Sequence, residues 1–356
     1  MHHCHIPFPR LLRAAHAAMR CVRLSLRARP LRVPASRRSL GVCCACRRVD
    51  VLGAGFAGVA VTWHLLSEAA ARGEAVHVRV YDVAGVGGGA SGVSTGLLNP
   101  LASRADTEKL LWRGVEGCAA TARLVAVAEE ALGRRCASSA GSLHLLTKPP
   151  RKQERRDGGT KGPAPAQPSR LQKLTAAQAA ELLPGFVPPA DVLGVALYPA
   201  GLVVDAPAYL SGLWAACEAL AARGAARGTR LELLRERVPS LSSLFAGGAG
   251  DVVVAAGAAV LTLPELTHLP LTTCGGTTLR FTPCDSAEND ALPANAPALL
   301  VPGATYIAPT GDGGVVLGGT KARLRPHLSI PNQARGPVCA SHAPAAGVQR
   351  ATRVLL

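Results

Sequence analysis

From Val49 onward the spacing of apolar positions changes period several times, and each change marks an element. Val49-Asp50-Val51-Leu52 is a short apolar run that stops at Gly53. Helix-period sequence follows to Arg72-Gly73, and then a second apolar run, His77 to Tyr81, ends at Asp82. The nearly unbroken hydrophobicity from Val51 to Leu66 has the look of a membrane span. Three glycines inside it and Asp50 beside it fit a buried parallel strand with a packed helix better. Gly85 to Gly96 reads as a Gly-rich loop, Thr107 to Gly133 as mainly helical, and Gly141 to Thr147 as a strand. Thr175-Ala176-Ala177-Gln178 has capping-box spacing and predicts a helix that ends before Pro184. Pro207 to Arg223 predicts another helix, Arg230 to Leu234 a strand, and Asp251 to Gly257 a buried strand ending in a turn. Thr305 to Ala308 and Val315 to Leu317 flank Gly311-Asp312-Gly313-Gly314, which is a hairpin signal.

The chain has 356 residues, enough for two folded units. Aromatic residues make up only 3%, so the core rests on Val, Leu and Ala, and helices can approach sheets closely. The formal charge of +16 is unevenly distributed. Residues 1 to 48 hold eleven Arg and no acid, and Lys148 to Lys173 holds eight basic and two acidic residues, leaving 20 basic against 21 acidic elsewhere. Both basic segments lack interleaved aromatics, so the charge does not predict a nucleic-acid partner. Arg-rich, acid-free residues 1–48 have the composition of an organellar transit peptide, for a chloroplast or else a mitochondrion. Residues 148–170 read as a disordered insertion. The eleven Cys are scattered rather than framework-spaced. His2 to His5 and Cys43 to Cys46 lack the paired spacing of a zinc site, so no metal is expected.

Candidate chemistry begins at Gly53-Ala54-Gly55-Phe56-Ala57-Gly58. The GxGxxG pattern alone is weak, but here it follows a strand and opens a helix. Gly53 then makes the tight turn, Gly55 admits a diphosphate, and Gly58 lets helix and strand pack closely. The amides of the first helical turn, with Phe56 and Ala57, face the ligand at the positive end of the helix dipole. Asp82, at the end of the second strand, can accept ribose hydroxyls and would repel the 2′-phosphate of NADP, which leaves NAD and FAD. Gly87-Gly88-Gly89-Ala90-Ser91-Gly92 is a second backbone cradle, suited to a ligand that runs past its diphosphate, and the Ser91 hydroxyl can donate to phosphate.

The run from Val49 to Leu101, with GAGFAG, Asp82, GGASG and Gly96-Leu97-Leu98-Asn99-Pro100-Leu101, resembles the FAD-binding region of the D-amino-acid oxidase/glycine oxidase superfamily. It is especially similar to plant, algal and bacterial members related to the oxidase half of the bacterial enzyme that builds methylaminomethyl-thiouridine in tRNA. Leu110 to Glu116 fits the plant and algal branch. Asp251 to Gly257 resembles the family's returning strand, whose terminal Ala256-Gly257 lies near the flavin diphosphate. Tyr306 to Thr320 resembles the hairpin that forms part of the substrate wall. The resemblance implies FAD without a nicotinamide, with Ala90, Ser91, Gly96 and Leu97 among its contacts. It also implies hydride transfer from a substrate C–H beside nitrogen to flavin N5, on a small amine or amino acid. No obligatory catalytic side chain follows, and His64 and Cys274 read as structural.

The resulting expectation is an α+β flavoprotein. Residues 49–133 and 207–266 form a discontinuous Rossmann-like FAD domain, and 134–206 and 267–321 form a mostly antiparallel substrate domain. Residues 322–356 are polar and Pro-rich and match no family segment, whereas the family continues with a Gly-rich segment that covers the flavin ring. Weak FAD binding and slow turnover are therefore expected of this form. An NAD-dependent dehydrogenase and a non-catalytic FAD-binding protein are the competing readings.

Overall fold

A computed structural model describes residues 46–100, 114–146, 171–190, 192–281, 295–301, 305–310, 313–318, 322–323 and 350–355. Its contacts separate Met1–Cys43 from Cys44–Leu356, and every element below belongs to the second unit. In chain order the first are β1 (Arg47–Leu52), α1 (Phe56–Arg72), β2 (Val76–Tyr81), β3 (Leu97–Leu98) and α2 (Gly114–Leu132). Next come β4 (Ala137–Ser138), β5 (Ser142–Leu146), β6 (Gln172–Leu174), α3 (Ala176–Leu182), β7 (Gly194–Tyr198) and β8 (Leu202–Val204). Then follow α4 (Ala206–Gly224), β9 (Arg230–Leu234), α5 (Leu241–Ala246), β10 (Asp251–Val254), β11 (Cys274–Phe281) and β12 (Ala298–Val301). The last are β13 (Thr305–Pro309), β14 (Val315–Gly318), β15 (Ala322–Arg323) and β16 (Arg350–Leu355).

The first sheet has the order β10-β1-β2-β9 and is parallel throughout. Parallel pairing puts the C-terminal ends of all four strands on one edge. One face carries Val49, Val51, Val78 and Val80 and packs with α1, α2 and α4. Small residues bring these helices close, and a Cβ on Gly212 of α4 would stand 2.5 Å from the Ala128 carbonyl of α2. The α1 helix ends where sequence predicts, at Gly73, in a left-handed C-cap.

The opposite face is partly charged. Asp50 is fully buried and receives two guanidinium forks, from Arg48 at 3.0 and 3.2 Å and from Arg79 at 2.8 and 2.9 Å. Burial pushes the Asp50 carboxyl up, while Arg48 pulls the other way.

The second sheet runs β15-β11-β14-β13-β12-β5-β7-β6, with β16 on β11, and is antiparallel except where β12 meets β5. Leu143, Leu145, Val195 and Leu299 pack on one of its faces with Ala179 and Leu183 of α3 and the turn after it. The predicted capping box is present: Thr175 Oγ1 accepts from Gln178 N, and the Gln178 side chain accepts from Thr175 N. A third, small sheet, β3-β8-β4, pairs Leu97 with Val203 and Ala137 with Val204.

Several sequence expectations shift. The first strand begins at Arg47, so two residues assigned to the basic leader are part of the sheet, held by pairing of Arg47 and Arg48 with Val76 and His77. Cys136 and Val204 pack in the first core although the sequence assigns 134–206 to the second domain. The tail that the sequence leaves unassigned contributes β15 and β16, both paired with β11. Residues 148–170, Thr107 to Arg113, Thr147, Gly311 and Asp312 lie outside the described residues. So do most of residues 1–48. Among the described residues no helix is long and apolar enough to cross a membrane.

Asp50→Ala leaves two partly buried guanidinium groups without their carboxylate and is expected to destabilise the fold by about 3 kcal/mol. Urea denaturation measures it, and an unchanged midpoint would show that the network carries no stability.

Candidate cofactor site

The site forms where β1 turns into α1. Gly53 has φ of +100°, and a Cβ there would overlap the Ala255 carbonyl just past β10. A Cβ on Gly58 would overlap the Gly53 carbonyl. Helix, turn and returning strand thus touch backbone to backbone, as the GxGxxG reading requires. Ala256 is part of this contact, its Cα 3.0 Å from the position of a Gly53 Cβ, and Gly257 opens the short 3₁₀ helix that follows.

Two side chains converge on the turn. Asp82 Oδ2 accepts from Ala54 N at 2.8 Å, while Oδ1 accepts from Ala84 N at 3.0 Å and Gly85 N at 3.1 Å. A carboxylate has about four acceptor sites, so three are used by the backbone and one is left for a ribose hydroxyl. Ser91 Oγ, in the 3₁₀ helix Ala90–Val93, accepts from Phe56 N at 3.1 Å and would lie 2.7 Å from a Cβ at Gly55. Ala57 and Gly58 are in the first helical turn, where amides have no acceptor within the helix.

Beyond Ser91 the loop runs between the other sheets. Thr278 Oγ1 of β11 donates to the Val93 carbonyl at 3.5 Å. Gly96 has φ of +67°, and its carbonyl accepts from Val204 N at 3.0 Å. Leu97 packs with Val203, Ala298 and Ala308.

The sequence reading missed two further side chains. Arg235 directly follows β9 and lays its guanidinium 3.0 Å from where a Gly85 Cβ would be, beside the Asp82 turn. Finding it requires knowing that β9 is the neighbour of β2. His144 is buried on β5, with Asn99 Nδ2 3.3 Å and Ser142 Oγ 3.1 Å from its Nε2. As an amide nitrogen only donates, Nε2 is the acceptor. The signal was visible: polar Ser142 and His144 alternate with Leu143 and Leu145. Burial pushes the His144 imidazole down to about 4, so it is neutral near pH 7.

Thiol chemistry has little support. Cys136 and Cys217 are buried, and burial pushes them up to about 11 and 12, so both stay protonated. His64 is exposed and stands edge-on to Trp63, and Cys274 begins β11. Among the described residues no group of three or more His, Cys, Asp or Glu could hold a metal ion.

A parallel sheet with a glycine turn, an end-of-strand acid and an adjoining antiparallel sheet define a dinucleotide-cofactor oxidoreductase. Residues 48–347 match the model of the DAO family, FAD dependent oxidoreductase, and the chain belongs to that family. No curated protein matches it by sequence. Among solved structures it is similar to glycine oxidase from Geobacillus kaustophilus, at 20% identity and a TM-score of 0.56 over 78% of this chain and 72% of that one. It is also similar to iminodiacetate oxidase from Chelativorans sp. BNC1, at 18% and 0.53 over 77% and 72%. A third is glycine oxidase from Bacillus cereus ATCC 14579, at 17% and 0.51 over 77% and 73%. The residues present fit FAD, because the glycine turn leaves room only for backbone and the adjoining first-turn amides suit a diphosphate.

Since the His144 pKa is lowered in the fold, its stabilising contribution is complete above about pH 6.5 and is lost as pH falls toward 4. The loss is about 3 kcal/mol. His144→Gln should show a shallower fall in unfolding free energy over this range than the parent protein, by urea titration at each pH. Equal slopes would mean that His144 titrates normally.

Proposed function

We propose that this FAD-dependent oxidoreductase oxidises a C–N bond of a small amino acid or secondary amine. The observation that carries the reading is the convergence of Asp82 and Ser91 on the turn before α1, with the antiparallel sheet bonded to the same loop at Val93. Support for the substrate class comes from the names of the glycine and iminodiacetate oxidases that share the fold. FAD, when bound, supplies the two-electron acceptor. The protein's part is to hold and orient. In our assignment Gly53, Gly55, Phe56, Ala57 and Gly58 receive the diphosphate, and Asp82 receives the ribose. Ala90, Ser91, Gly96 and Leu97 line the path onward, and Ala256 and Gly257 close the turn from β10. Substrate would be positioned by the antiparallel sheet, and placement rather than a nucleophile would supply the rate. The division into a discontinuous FAD domain and a substrate domain is part of this proposal.

The test is to add FAD to the purified chain and mix the yellow complex anaerobically with a panel of amino acids and secondary amines. Bleaching by at least one supports the proposal. Binding without bleaching by any would make the chain a cofactor-binding protein, and failure to bind FAD would overturn the site assignment. Asp82→Ala is expected to weaken FAD binding by about 2 to 4 kcal/mol. A folded variant with parental affinity would remove Asp82 from the site.

The motif order also favours the plant and algal branch related to the tRNA-modifying oxidase, and with it delivery of the chain to a chloroplast by its Arg-rich leader. A reporter fused behind residues 1–48 should enter a chloroplast, or on the second reading a mitochondrion. A wholly cytosolic reporter would refute the leader.

A further inference from the structure

Ser94 stands immediately after the 3₁₀ helix that carries Ser91, and its backbone amide donates to the Ser91 carbonyl at 3.4 Å. Its hydroxyl oxygen is shielded from solvent and has no hydrogen-bond partner among the described residues. An unmet buried hydroxyl costs about 1 to 3 kcal/mol, so its retention calls for a reason. The backbone on either side of it is held. Val93 is bonded to β11 through Thr278, Thr95 is buried, and Gly96 is bonded to β8 through Val204.

Position narrows the partner. Asp82 reaches the Ala54 amide and Ser91 the Phe56 amide, so the loop passes from the ribose end to the diphosphate end and then on toward the antiparallel sheet. Ser94 is the next hydroxyl along that line. We propose that Ser94 Oγ, unpartnered in the free protein, hydrogen-bonds the flavin half of FAD, at a ribityl hydroxyl or a ring carbonyl. This rests on the FAD site assigned above and adds a residue to it.

The proposal demands two effects of opposite sign from one substitution. Ser94→Ala in the full chain removes a group that is unsatisfied without cofactor and satisfied with it. The apo-protein should melt about 2 °C higher, while FAD, followed by quenching of flavin fluorescence, should bind about tenfold more weakly. ADP, which lacks the flavin half, should compete equally well against both proteins. Ser94→Cys, nearly isosteric but a weak hydrogen-bonder, should lose FAD affinity almost as far as Ser94→Ala, which controls for a packing defect. FAD affinity within twofold of the parent would overturn the proposal and leave a buried water as the partner of the hydroxyl. Equal weakening of ADP and FAD would overturn it too, because the residue would then act on the loop as a whole. If the parent chain itself fails to bind FAD, the underlying site assignment falls rather than the role of Ser94 within it.

Discussion

The contact on which the rest depends is backbone against backbone at the turn between β1 and α1. Gly58 admits no Cβ because the Gly53 carbonyl fills that space, and Gly53 admits none because the Ala255 carbonyl does. With side chains absent, the helix starts hard against the strand edge, and the amides of its first turn have no acceptor within the helix. The sheet order makes this productive. Because β1 lies between β10 and β2 and all three are parallel, the residues following both neighbours arrive at the same turn. One neighbour brings Asp82 to the Ala54 amide, and the other brings Ala255 and Ala256 behind Gly53. A diphosphate needs such a concentration of amides and tolerates no intruding methyl group.

The two faces of the first sheet solve different problems. The apolar face is built mainly from Val, Leu and Ala, and Gly212 lets α4 approach α2 closely. The other face buries a carboxylate, Asp50, that is tolerable only with both arginine forks in place. Neither face contributes a side chain that bonds to the turn, so the candidate site's groups lie on the strand ends, the loops beyond them and the first turn of α1.

Sequence was informative wherever structure is set by neighbours in the chain. The glycine turn, the helix stop at Gly73, the Thr175 capping box and the strand that ends before Asp82 are all local matters of backbone freedom or hydrogen bonding. It was uninformative where pairing across long separations decides. Leu97-Leu98, Ala137-Ser138 and Leu202 to Val204 are too short to show a period, and they are strands because they meet one another. Arg350 to Leu355 reads as part of a polar tail, yet it pairs along most of β11. For the candidate site, motif spacing pointed to Asp82 and Ser91, whose side chains bond the Ala54 and Phe56 amides. Arg235 and Ser94 were not, since one depends on strand order and the other on which hydroxyl the fold happens to enclose.

The loop from Gly85 to Pro100 also decides how demanding cofactor binding is. Its successive fixed points lie on different parts of the fold: Gly87 N on the Ala54 carbonyl, Ser91 on α1, Val93 on β11, Gly96 on β8 and Asn99 beside His144 of β5. A Gly-rich loop left free would have to be ordered by its ligand, at an entropic cost for each residue fixed. Here folding has already met that cost, and binding energy is not drawn on to shape the cradle. The same fixed points join the cofactor path to strands of the antiparallel sheet, so a change of register in β5 or β11 would move the cradle as well. On the proposed site, variation in substrate preference is most readily accommodated on strands and loops that make none of these contacts, because β5, β8 and β11 are tied to the geometry of this loop.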